Sequence, residues 1–137
     1  MKILLILITT TVLFLSTEIV AQTHSITIRV PNISSNDGTV KFALYQEDNF
    51  RITPTKAIES KITDGVAEII FEDVEAGDYA IICYHDKNDN DKMDFSESGM
   101  PLESYGVSNN PASFGPPQYS DAYFVLRDKN ISLEIKF

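Results

Sequence analysis

From Ser25 onward the chain alternates between apolar and polar residues. Ser25-Ile26-Thr27-Ile28-Arg29-Val30 has the period of two that marks a half-buried strand. Pro31 to Gly38 is a turn cluster ending in Asp37-Gly38, a hairpin-type dipeptide. Thr39 to Tyr45, rich in β-branched and aromatic residues, is expected to be the partner strand. The polar stretch Gln46 to Thr55, with Pro54, predicts a loop holding one helical turn at most. Ala57 to Ile62 and Val66 to Phe71 read as short strands around the tight turn Asp64-Gly65. Glu75-Ala76-Gly77-Asp78 then turns the chain into Tyr79 to His85. That run is the most continuously apolar and so is expected at the centre of a sheet.

The pattern changes after His85. Gly99 to Tyr119 carries Pro101, Pro111, Pro116 and Pro117 together with Gly99, Gly106 and Gly115, which forbids regular structure through most of its length. Leu102, Tyr105, Val107, Phe114 and Tyr119 predict that this long segment packs onto the body. Ala122 to Leu126 and Ile131 to Phe137 read as a closing hairpin across Arg127 to Asn130. In its last strand Ile131, Leu133, Ile135 and Phe137 share one face. No stretch of useful length has the helix period. About seven short strands separated by turn signals predict an all-β fold, an antiparallel β-sandwich of prealbumin-like or immunoglobulin-like kind.

The N-terminus follows a different logic. Met1-Lys2 is a short positive start, Ile3 to Leu15 is apolar apart from threonines, and Ala21 stands at a cleavage position before Gln22. This layout predicts a secretory signal peptide over 1–21, too short in its apolar run for a membrane span. Residues 22–137 are then one domain, exported to the periplasm or the extracellular space, with no membrane span after cleavage. The net charge of −9 argues against nucleic acid and anionic membrane surfaces as partners. The single Cys83 can form no internal disulfide and lies in an apolar strand, as a buried structural thiol does.

Much of the acidity is concentrated between Asp86 and Glu103, and its spacing points to a cation. Counting from Asp86, the ligand positions 1, 3, 5, 9 and 12 of an EF-hand-type calcium loop are Asp86, Asn88, Asn90, Asp94 and Glu97. Position 7, which supplies a backbone carbonyl, is Lys92. Each side chain offers oxygen, the donor that hard Ca²⁺ takes at about 2.3–2.6 Å. Position 6, normally Gly because the chain turns sharply there, is Asp91, one of the few residue types that enters the left-handed region at tolerable cost. An Asp/Asn cluster is also what a solvated turn looks like.

Three blocks occur in one order: Phe71-Glu72-Asp73-Val74-Glu75-Ala76-Gly77-Asp78-Tyr79-Ala80-Ile81, then His85 to Asp94, then Gly99-Met100-Pro101-Leu102-Glu103-Ser104-Tyr105-Gly106-Val107-Ser108-Asn109-Asn110. Over essentially all of residues 22–137 the chain resembles the exported bacterial proteins grouped as domain of unknown function 2141. The resemblance implies a secreted β-sandwich with no established activity. That family commonly has Asn-Gly where this chain has Asn90-Asp91, a departure that bears on metal affinity. The Gly-Asp-Tyr strand entry into an Asp/Asn loop is also similar to prealbumin-like modules of bacterial surface proteins, an analogy of fold alone.

The expected function is therefore a non-catalytic exported domain with a structural Ca²⁺ in the 86–97 loop, binding an envelope protein or a glycan. Aromatic residues of the long segment and its surroundings, Tyr105, Phe114, Tyr119 and Tyr123, suit a metal-free binding module as well as they suit core cover. A hydrolase would have to rest on His85 with Asp86, Asp94 or Glu103, and with Tyr105 or Ser108 as further polar groups. The chain has no nucleophile elbow, no zinc-protease motif and no phosphate loop. With only His24 and His85 it also lacks the histidines of a zinc site.

Overall fold

The computed structural model describes residues 20–137. The leader predicted over 1–21 therefore falls, except for its last two residues, outside the described residues. The remaining chain forms two facing sheets. One contains β1 (Thr23–Val30), β4 (Ala67–Glu75) and β8 (Ile131–Glu134) in the order β4-β1-β8. The other contains β2 (Thr39–Tyr45), β3 (Lys56–Lys61), β5 (Gly77–Asp86) and β6 (Tyr105–Val107) in the order β3-β2-β5-β6, and β7 (Phe124–Leu126) pairs with the start of β5. The fold is all-β and antiparallel except where β8 runs parallel to β1. The only α-helix among the described residues is the single turn α1 (Tyr119–Ala122).

Alternation decides what each strand buries. Ile26, Ile28 and Val30 of β1 meet Phe42 and Leu44 of β2 and Ile81 and Cys83 of β5 across the sandwich, with Phe71, Leu126 and Ile135 completing one core. Burial stabilises each such side chain by about 1.5–3 kcal/mol relative to exposure. Cys83 is a free thiol in this core, its Sγ 3.7 Å from the Gly106 carbonyl, and burial pushes its pKa far up. β5 lies between β2 and β6, as its continuous apolar run predicts.

Two expected pairings are wrong. β1 and β2 are not hairpin partners, because the 31–38 turn carries the chain from one sheet to the other, so β1 pairs with β4 and β2 with β3 and β5. The closing hairpin does not form either. β7 extends the edge of β5, whereas β8 crosses to the other sheet and lies beside β1. The Pro/Gly-rich segment contains one strand that composition concealed, β6, and it is anchored unevenly. Val107 is buried and Tyr105 and Tyr119 are half-buried, but Leu102 and Phe114 stand in solvent.

Three consecutive polar residues fasten that segment. The buried Ser108 hydroxyl donates to the Ala122 carbonyl at 2.5 Å and accepts the Ile81 N–H at 2.9 Å. Asn109 donates to the carbonyls of Asp121 and Tyr123. Asn110 donates to the Glu134 carbonyl and accepts the Lys136 N–H, tying the segment to the C-terminal strand. Both asparagines have positive φ, the conformation Asn tolerates best after Gly.

Candidate functional site

β5 leads directly into the acidic loop. Its last residue, Asp86, is fully buried, and its carboxylate serves as the hub of the turn: Oδ1 accepts the Asn90 N–H at 3.1 Å and Oδ2 the Asp91 N–H at 2.9 Å. A buried carboxylate persists only when its oxygens are bonded in this way. Asp91 takes φ +61°, the left-handed turn that its position in the loop requires, and Asp89 takes φ +54°.

Side chains two and four residues on converge further. Asn88 Nδ2 lies 2.8 Å from Asp94 Oδ2, and Asn90 Nδ2 lies 3.0 and 3.1 Å from the two Asp94 oxygens. Asn90 Oδ1 accepts the Lys92 N–H at 3.0 Å. Asp86, Asn88, Asn90 and Asp94, four of the five side chains named by the spacing, thus belong to one connected cluster, with Lys92 on its rim. Glu97 takes no part in that network. It is exposed in the 96–99 turn, which the Gly99 N–H closes on the Ser96 carbonyl.

Glu103, which the loop spacing does not include, braces the turn. Its Oε1 accepts the Lys87 N–H and its Oε2 the Asp94 N–H, each at 3.1 Å, so one carboxylate clasps the two ends of the turn. The spacing of a contiguous loop could not reveal this brace, because it comes from beyond the small 94–102 excursion closed by the Phe95–Pro101 bridge. Lys41 was missed for a similar reason. From β2 its ammonium reaches Asp91 at 2.6 Å, bonds Glu59 of β3 and lies 3.8 Å from Asp86 Oδ2. Asp91 and then Glu59 hold its pKa well above the ordinary lysine range. Only the register, which sets Lys41 opposite both Glu59 and Tyr84, brings these groups together.

The cluster's chemistry is that of a hard site: carboxylate and carboxamide oxygens, with no sulfur or imidazole donor. Among the described residues no three His, Cys, Asp or Glu side chains form a metal-ligating group; here the convergence joins two aspartates to two asparagines. His85 is not part of it. Its ring is buried and its Nε2 sits 2.7 Å from the Asp37 carbonyl, which pins the 31–38 turn to the end of β5. Ser108 is likewise consumed by backbone bonds. Tyr105 reaches the Gly115 carbonyl at 3.5 Å, inside its own segment. Of the residues a hydrolase would use, His85 and Ser108 are thus bonded to backbone, while Asp86, Asp94 and Glu103 belong to the acidic turn.

Residues 28–134 match the model of a family described as an uncharacterized protein conserved in bacteria, DUF2141. No curated protein and no solved structure matches the chain. No helix among the described residues is long and apolar enough to cross a membrane.

Proposed function

The chain belongs to this bacterial family, DUF2141, which brings no activity with it, and from that premise we propose a non-catalytic, exported binding domain whose 86–97 loop holds a structural Ca²⁺. The observation that carries the reading is the gathering of Asp86, Asn88, Asn90 and Asp94 around one turn. These are loop positions 1, 3, 5 and 9 of a calcium loop. The two carboxamides now turn nitrogen toward Asp94. A half-rotation of each amide exchanges Nδ2 for Oδ1 and presents oxygen to a cation, and it releases the Asn90 and Lys92 N–H groups that the two amide oxygens now accept. Asp86 and Asp94 supply charge, and the Lys92 carbonyl supplies the peptide oxygen. The last carboxylate is Glu103, which the loop's own bonds already hold, in preference to Glu97. With so few charged ligands the affinity belongs to the extracellular class, on the order of 10⁻⁴ to 10⁻³ M.

Thermal unfolding tests this. A ligand that binds only the folded state at a hundredfold excess over Kd stabilises it by about 2.7 kcal/mol. For a domain of this size that raises the midpoint by roughly 10 °C. The rise is expected with calcium, not with magnesium, and is expected to vanish in Asp94→Ala and Glu103→Gln while surviving in Glu97→Gln. No rise up to about 100 mM calcium, a hundredfold excess over even the weaker Kd of that class, would remove the metal from the proposal. Export is tested separately, by cell fractionation and by the mass of the exported protein, which is expected to begin at Gln22.

A further inference from the structure

The outer face of the larger sheet carries a groove of about 390 Å³ that no part of the calcium reading uses. Strand register explains its shape. One row across the sheet is Glu59, Lys41, Tyr84 and Tyr105, and the next is Ala57, Ala43, Ile82 and Val107. Beyond them Tyr45 stands opposite Ala80. Because Ala57 and Ala43 have only a methyl group, the middle row forms a low floor between the Lys41–Tyr84 wall and the Tyr45 wall. The walls are four residues apart along β2, roughly 13 Å at the rise of a strand. Tyr45 is braced from behind by Phe50, edge-to-face at 5.7 Å, and Phe50 in turn by Tyr119 at 5.5 Å.

We propose that this groove is a carbohydrate site, for a short stretch of neutral or amino-sugar oligosaccharide. Two arguments select that class. Tyrosine rings and a methyl-lined floor offer apolar surface to the C–H faces of a sugar, while the phenol tips remain available for hydroxyls. At one end Lys41 is fixed between Glu59 and Asp91, with Asp86 Oδ2 3.8 Å away. Hydroxyl groups both donate and accept, and this end presents one donor group beside two acceptors that line the groove, Glu59 and Asp91, already held in place by their mutual charge, while the buried Asp86 adds charge alone. Three carboxylates around one ammonium leave that end negative, and the whole chain carries −9, so phosphorylated, sulfated and uronic ligands are disfavoured. The volume falls in the usual range for ligand sites. Asp91 is the only residue of the 86–97 loop that lines the groove, and it is not among the calcium donors, so sugar titration in EDTA reads this proposal apart from the calcium one.

The test is isothermal titration of the purified protein with cellotetraose, xylotetraose, N-acetylchitotetraose and chitosan tetramer, and with tetragalacturonate as the anionic control. Tyrosine fluorescence gives a second readout, since the chain has no tryptophan. At least one neutral or amino-sugar tetramer is expected to bind and tetragalacturonate is not. Tyr84→Ala, which removes a wall, and Ala57→Phe, which fills the floor from an edge strand that accepts aromatic residues, are each expected to weaken binding by at least about tenfold. Ala57→Phe keeps the test decisive if Tyr84→Ala fails to fold. Binding of none of the neutral or amino-sugar tetramers, equal binding of tetragalacturonate, or full affinity in a folded Ala57→Phe variant would each overturn the assignment.

Discussion

Gly38 shows how much a single backbone position contributes to this loop. It sits at φ +71°, and a Cβ built there would collide with the carbonyl oxygen of Asp86. The Asp37-Gly38 dipeptide announces a turn in the sequence, but the stronger reason for Gly is the backbone of a residue far along the chain. Gly38→Ala therefore suffers both the left-handed penalty and a contact that backbone cannot yield cheaply. It is expected to cost at least about 2–3 kcal/mol, measured by urea unfolding. A loss under about 1 kcal/mol would mean that the 31–38 turn is not seated on Asp86. Asp91 is the opposite case. Its left-handed φ of +61° follows from its place in the loop pattern, and there sequence reasoning reached the conformation directly.

Among the strands, periodicity located nearly every one but did not say which neighbours it would take. Alternation in Ser25 to Val30 and Thr39 to Tyr45 fixes which residues face inward, and either pairing buries the same faces. A turn signal such as Asp37-Gly38 reports a reversal, whether the chain returns within its sheet or crosses to the facing one. β8 illustrates the same gap, since its alternating residues suit a parallel neighbour as well as an antiparallel one. The short β6 stayed hidden because its pairing with β5, not its composition, makes it a strand. Lys41 belongs to this level too, linking β2 and β3 to the acidic loop. Its pKa in the fold lies above its ordinary 10.5. Its contribution is then complete below that unfolded value and is lost as pH rises through the folded one. Tyr45, Tyr79, Tyr84 and Tyr119, raised chiefly by burial, add to the same alkaline decline. The informative quantity is the stability difference between wild type and Lys41→Met. It is expected to be constant from neutral pH to about 10 and to shrink above about 10.5. A difference that persists unchanged beyond pH 11 would show that the ammonium contributes nothing through its charge.

Taken as a whole, the molecule is closed by its C-terminal segment. Ile135 is fully buried and its N–H donates to the Arg29 carbonyl at 2.9 Å. Asn110, from the Pro/Gly-rich segment, grips the chain on both sides of it through the Glu134 carbonyl and the Lys136 N–H. Ile135 Cγ2 also packs against the backbone of Gly106, where a Cβ would not fit. One short stretch thus joins β1 of the smaller sheet to the segment that flanks the larger one. Ile135→Ala removes core volume and is expected to cost about 2–5 kcal/mol. Asn110→Ala leaves a carbonyl and an N–H to find other partners, at about 1–3 kcal/mol. Because both changes loosen the same stretch, the double variant is expected to lose less than the sum, by at least about 0.5 kcal/mol. Simple additivity in chemical unfolding would mean that the long segment and the C-terminal strand dock independently. The Asn109-Asn110 pair would then be an ordinary turn, as its composition alone suggests, and not the clasp through which the segment beyond the acidic loop is fixed to the sandwich.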